Sequence, residues 1–305
     1  MCASNSLSQT ISVEPSFSDA NQKWVLVEEL GKGTYGRVDA CRNNLGWSVA
    51  VKSSGFKREI RKEIAFMRKL TGCTNIIRYF DHVFHRDSLF DSVMMELGKA
   101  NLFDHIRRLV PLSDSEIRKY FLQVLNGVAF MHQQRIVHLD LKSGNIIIGA
   151  DKQLKIADFG LSEEFFEEHP MKVKLFRGAI GTHQICAPEA FTSRYYDGRK
   201  SDIWALGVLL LEMRHRQYLW TSPVSHDRGY VWFLNWRRSG QFGSDELARF
   251  ILHTDEKKRP ELWDIERHSW LCPPAITPQS KPQQQTPQWS TQCLQSFLKS
   301  FAILQ

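Results

Sequence analysis

An α+β fold of two unlike lobes, a small β-rich one followed by a larger helical one, is predicted by three features of this 305-residue chain. Trp24, Val25, Val27, Val38 and Ser48 to Val51 read as strands around a glycine-rich turn. After Gly98 the apolar residues fall at helical spacing. A nine-residue apolar run, Ile203 to Leu211, reads as the heart of a buried helix. With 42% hydrophobic and 24% charged residues, the chain can bury one large core or two modest ones.

The elements follow in order. Residues 1–22 are rich in Ser, Asn and Gln without periodicity, so a flexible lead-in is expected there. The first lobe, 23–98, begins with the valine strands. Arg58 to Leu70 then sets Ile60, Ile64, Phe66, Met67 and Leu70 at helical spacing, with Gly72 just past the end. Strands are expected at Ile76 to Phe80 and Ser92 to Glu96. The second lobe, 99–271, opens with helices over Leu102 to Leu109 and Ser113 to Gln133, the latter capped by Ser113 and Glu116. A short hairpin joins Ile146 to Ile148 with Leu154 to Ile156, and Asp202 to Arg214 is the buried helix. The segment 272–305 turns to Pro and Gln, holding five of the eleven prolines, and reads as a tail. Its end, Cys293 to Leu304, puts Leu294, Phe297, Leu298 and Phe301 on one helical face, which either docks on its own domain or receives a partner.

Bulk properties exclude several function classes. A membrane helix needs about 20 apolar residues, and the longest apolar run has nine. The six cysteines stand apart with no CxxC pair, which argues for reduced thiols rather than a zinc or redox site. The net charge of +7 comes from basic residues interleaved with acidic ones, so a solvated surface is expected and no nucleic-acid stripe. The first residues form neither a secretory signal nor a myristoylation site, since Cys2 stands where glycine is required. A cytoplasmic location follows, with the nucleus also open.

Four motifs carry the chemistry. In GKGTYGRV, residues Gly31, Lys32, Gly33, Thr34, Tyr35, Gly36 and Val38 lie between two strands, where the three glycines, having no Cβ, let a hairpin press backbone amides onto phosphates. A dinucleotide fold would need the glycines to lead into a helix, and here a strand follows. VAVK ends in Lys52, whose charge can bind phosphate oxygens if a carboxylate holds it. Taken alone, such a lysine is an exposed strand end. Its expected partner is Glu63 rather than Glu59, which is only seven residues away. HLDLKSGN supplies Asp140 to orient an attacking hydroxyl, Lys142 to neutralise a moving phosphoryl group and Asn145 as a metal ligand. Asp158, in Asp158-Phe159-Gly160, adds a hard oxygen for Mg²⁺ thirteen residues after Asn145.

With all four motifs in this order, residues 23–271 resemble the eukaryotic protein kinase family. The resemblance implies the bilobal kinase fold, ATP and Mg²⁺ as cofactors, and a protein substrate. It also implies that Val38 and Ala50 cover the adenine and Ile147 supports it. Met95 resembles the residue guarding the pocket ahead of a hinge at Glu96, Leu97 and Gly98, although Met95 alone reads equally as core filler. Ala187-Pro188-Glu189, Asp202 and Arg259 match further family positions. Lys142 and Thr182 resemble the serine/threonine type. ELGKGTYGRVD, FDHVF and NLFDHI are similar to the small SH3-binding-domain kinase group, yet the tail prolines form no PxxP.

The sequence departs from the family pattern at Leu139, where an arginine usually meets an activation-loop phosphate. Between Gly160 and Gly181 the one hydroxyl side chain is Ser162. Activity independent of activation-loop phosphorylation is therefore expected. Glu163, Glu164, Glu167 and Glu168 either meet Lys172, Lys174 or Arg177 or are simply solvated. Ser143 and Gly144 replace a common Pro-Glu pair, and Ile185 a common tyrosine. The rival reading is a pseudokinase, a scaffold without phosphoryl transfer.

Overall fold

The computed structural model describes residues 14–33, 36–85, 88–108, 110–167, 172–239 and 245–272. The expectations for Thr34, Tyr35, Glu168 and the Cys293 to Leu304 helix lie outside those residues.

The first lobe is a five-stranded antiparallel sheet in the order β1-β2-β3-β5-β4. Its strands are Trp24–Gly33 (β1), Gly36–Asn43 (β2), Ser48–Ser54 (β3), Tyr79–Val83 (β4) and Asp91–Glu96 (β5). The first two close with Gly33 opposite Gly36. Gly36 has φ +140°, and a Cβ there would lie 2.3 Å from the Ser53 carbonyl oxygen, so only glycine fits. Helix α1, Lys57–Lys69, buries Ile60, Ile64, Phe66 and Met67 and packs on β4 and β5.

The structure corrects two expectations in this lobe. The edge strand β4 starts at Tyr79, three residues later than Ile76. Ile76 and Ile77 are instead buried, and the Ile77 N–H donates to the Ile156 carbonyl at 2.9 Å, so this apolar pair joins the lobes. Nor are residues 14–22 a loose lead-in. Asp81 on β4 accepts from the Ser16 hydroxyl and the Phe17 N–H, each at 2.7 Å, and Phe17 packs with Val49, Val51 and Met94 on the outer face of the sheet.

The second lobe starts with β6 (Ala100–Asn101) and α2 (Leu102–Ile106), shorter than the expected Leu102 to Leu109. Pro111 draws the residue before it out of the helical region, which favours an early stop. Helix α3, Asp114–Gln133, carries the Ser113/Glu116 capping box. Then come β7 (Ile136–Val137), a 3₁₀ turn (Ser143–Asn145), and the hairpin β8 (Ile146–Ile148) and β9 (Leu154–Ile156). Four two-residue strands follow: β10 (Glu163–Glu164), β11 (Phe166–Glu167), β12 (Lys172–Val173) and β13 (Leu175–Phe176). After α4 (Glu189–Thr192) and β14 (Tyr196–Asp197), helix α5 (Gly198–His215) runs buried on nearly every side against α3 and α7. The chain then forms α6 (Arg228–Ser239), α7 (Glu246–Ile251) and α8 (Leu262–Glu266). One apolar core spans both lobes, from Ala50, Ile60 and Met95 to Phe121, Leu141 and Trp204, and so fixes the floor of the cleft between them. Among the described residues no helix is long and apolar enough to cross a membrane.

Candidate active site

Strand alternation puts Val49 and Val51 into the outer cluster, while Ala50 and Lys52 turn to the cleft. The Lys52 ammonium donates to both oxygens of Glu63, at 2.9 and 2.7 Å, and to Asp158 Oδ1 at 2.8 Å. Burial opposes the charge on Lys52, but the carboxylates of Glu63 and Asp158 outweigh it and hold the ammonium above the usual lysine range. Burial likewise works to raise Asp158, and Lys52 more than compensates, leaving that carboxyl below its usual value. Glu63 reaches this position because α1 buries its apolar face on the sheet. Glu59 takes no part.

Asp158 has φ +62°, an unusual conformation for a residue other than glycine. It is held there by the next residue: Phe159 is fully buried, its ring centroid 5.6 Å from that of His138.

Asp202, near the start of α5, positions the loop after β7. Its carboxylate accepts from the His138 N–H at 2.8 Å and the Leu139 N–H at 2.9 Å. Asp140 follows, with Oδ2 accepting from Lys142 Nζ at 2.8 Å and Asn145 Nδ2 at 3.1 Å. Its other oxygen accepts the Thr182 N–H at 2.8 Å, and Lys142 Nζ also donates to Thr182 Oγ1 at 2.7 Å. The Asn145 amide nitrogen is spent on Asp140, which leaves its oxygen free to take a cation.

Lys52, Glu63, Asp140, Lys142, Asn145 and Asp158 line one cleft of about 800 Å³ between the lobes, with Gly31, Gly33, Gly36, Val38, Ala50, Met95, Glu96 and Ile147. Lys32 and Leu97 do not line it. Lys32 lies exposed on β1 opposite Arg37, and Leu97 packs against the core. The sequence reading missed Leu30, Ile77, Asn101, Asp104, Arg108, Ala157 and Leu161 in the walls. Leu30 and Ala157 directly flank the motifs and could have been found by adjacency. Ile77, Asp104 and Arg108 arrive from elements whose placement only the fold reveals.

The described residues between Asp158 and Glu189 are tied down at several points. Strand β10 pairs with β7, β11 with β12, and β13 with β14. Glu163 meets Lys62 of α1 at 2.8 Å and Lys174 at 3.1 Å, Glu164 meets Lys69 at 2.8 Å, and Glu167 meets Lys172 at 3.1 Å. Burial raises Glu163, but Lys62 and Lys174 prevail and lower its carboxyl. Leu139, with φ +64°, is 5% exposed and packs with Val137, Phe165, Phe176, Cys186, Ala190 and Tyr196. Ser162 is fully buried, its hydroxyl donating to the His138 carbonyl at 3.4 Å. At the far end Glu189 forms a two-pronged ion pair with Arg259, at 2.6 and 2.9 Å.

The family model described as protein kinase domain matches residues 24–271. Human NUAK family SNF1-like kinase 2 is 33% identical over 265 residues, covering 82% of this chain and 40% of that protein. CBL-interacting protein kinase 28 of Oryza sativa subsp. japonica is 29% identical over 270 residues, or 83% and 60% of the two chains. Putative sperm motility kinase W of Mus musculus is 32% identical over 263 residues, or 83% and 51%. The chain thus spans between 40% and 60% of the length of these relatives.

Proposed function

This chain belongs to the protein kinase family, and on that premise we propose that it transfers the γ-phosphate of ATP to serine or threonine hydroxyls of a protein substrate. The observation that carries the reading is Lys52 bridging Glu63 and Asp158, which joins β3, α1 and the lower lobe at one point in the cleft. In the proposed reaction Lys52 binds phosphate oxygens. Asp140 orients the substrate hydroxyl and receives its proton, while Lys142 offsets charge on the phosphoryl group in flight. Val38, Ala50 and Ile147 offer apolar surface to the adenine, with Met95 and Glu96 at the back of the pocket.

The donor set fits Mg²⁺. No cluster of three or more metal-binding side chains exists among the described residues, and Asp158 and Asn145 offer two hard oxygens, as suits an ion otherwise held by phosphates and water. When bound there it neutralises phosphate charge. Transfer of labelled γ-phosphate to a generic basic protein tests the proposal, with wild type and Asp158→Ala side by side. Equal signals from both overturn it, and nucleotide binding with no transfer by wild type favours the scaffold alternative.

The proposal includes independence from activation-loop phosphorylation. Leu139 offers no charge to a phosphate, Ser162 is buried, and the lysine pairs of Glu163, Glu164 and Glu167 support an ordered segment without one. Phosphatase-treated enzyme made in bacteria is expected to keep its rate; complete loss would refute this part. ELGKGTYGRVD, FDHVF and NLFDHI support placing the chain in the SH3-binding-domain kinase group, without SH3 binding itself, because the tail has no PxxP. A cytoplasmic or nuclear location rests on the cysteine spacing and remains part of the proposal.

A further inference from the structure

Glu212 lies one turn before the end of α5 with its side chain wholly buried, and the chemistry above makes no use of it. Burial pushes its carboxyl up, and hydrogen bonds from Ser143 and Arg107 only partly offset that. A carboxylate kept in such a place costs stability that an apolar side chain of similar size would not. Its contacts show what it does there. Glu212 Oε1 accepts from the Ser143 hydroxyl at 2.8 Å and from Arg107 Nη1 at 3.0 Å.

Ser143, itself fully buried, opens the 3₁₀ turn that ends at Asn145, and the Asn145 N–H closes that turn on the Lys142 carbonyl at 2.9 Å. Arg107 caps the C-terminal end of α2 and lies 3.5 Å from the Phe103 ring centroid, which fixes its guanidinium. The same short helix and its flank bring Asp104 and Arg108 to the cleft wall. One buried carboxylate therefore joins α5, the turn beneath the phosphoryl site and the wall formed by α2.

We propose that Glu212 is a positioning residue. Through the Ser143 hydroxyl it sets the turn that carries Lys142 and Asn145, and through Arg107 it locks that turn to α2. The kinetic arm of the test rests on the phosphotransfer reading; the exchange arm does not.

The test compares full-length wild type, Ser143→Ala, Ser143→Thr and Glu212→Gln. Readouts are kcat, KM for ATP, the Mg²⁺ concentration giving half-maximal rate, melting temperature, and amide hydrogen exchange at Asn145 and Ile146 without nucleotide. Ser143→Ala is expected to lower kcat about 10-fold with KM for ATP changed less than about 2-fold, as misplacement rather than lost binding requires. Its Mg²⁺ requirement should rise and exchange at Asn145 should quicken, while Ser143→Thr restores both. Glu212→Gln, which keeps an acceptor for Ser143, should fall between wild type and Ser143→Ala. Wild-type kcat and exchange in Ser143→Ala would overturn the proposal. So would a loss of rate that tracks a fall in melting temperature without rescue by Ser143→Thr. If wild type itself transfers no phosphate, the function proposed above fails, and exchange at Asn145 alone decides for or against the positioning role.

Discussion

Lys52 answers to two carboxylates at once, so its removal leaves Glu63 buried without a cation and Asp158 without its anchor. Lys52→Met is expected to cut kcat by about 10²–10³, the scale of losing one preorganised charge at a reacting centre, while far-ultraviolet circular dichroism still reports a folded chain. Leu139 invites the opposite experiment. Putting arginine into its apolar surroundings buries an unpaired cation, and Leu139→Arg should lose about 3 kcal/mol in urea unfolding without making activity sensitive to phosphatase. The sequence alone revealed that Leu139 stands where a charge is usual. It could not show what the side chain packs against, because Phe165, Phe176 and Tyr196 come from elements up to 57 residues downstream.

At the scale of elements, local patterning determined how much could be read beforehand. Helix α3 was legible from its capping box and α1 from its apolar spacing, since both signals lie within a few turns of chain. The start of β4 was not, because Ile76 and Ile77 are apolar in order to join the lobes rather than to pair within the sheet. Nor was the docking of residues 14–22, whose polar composition hides a partner, Asp81, 64 and 65 residues away. The strand β10 depends on α1 through Lys62. Because those charges are partly exposed, each pair is weak and sensitive to salt. Lys62→Glu should therefore speed amide exchange across Glu163–Glu164 and lower kcat several-fold, and added salt should speed the same exchange in wild type. The pH dependence has a definite sign. The Glu163 carboxyl is held below its ordinary value of 4.5, so its pairing contributes fully above that value and is lost as pH falls through the depressed one. Limited proteolysis between β10 and β13 should be constant near neutrality and rise only below about pH 4.5.

Across the whole molecule, the motif residues were legible by identity and order, but their convergence was not. Lys52 and Asp158 stand 106 positions apart and meet at 2.8 Å because the core beneath them is continuous between the lobes. Glu189 and Arg259, 70 positions apart and almost fully buried, hold the far end of the activation segment to the lower lobe. Arg259→Ala should cost about 3–5 kcal/mol, the penalty for stranding a buried carboxylate, measured by thermal or urea unfolding. The apolar setting of Leu139 reaches further than stability. A contact of carbon on carbon neither gains nor loses attraction when charge arrives nearby, so on the function proposed here the grip of this cluster on the loop is the same whether or not a phosphate is present.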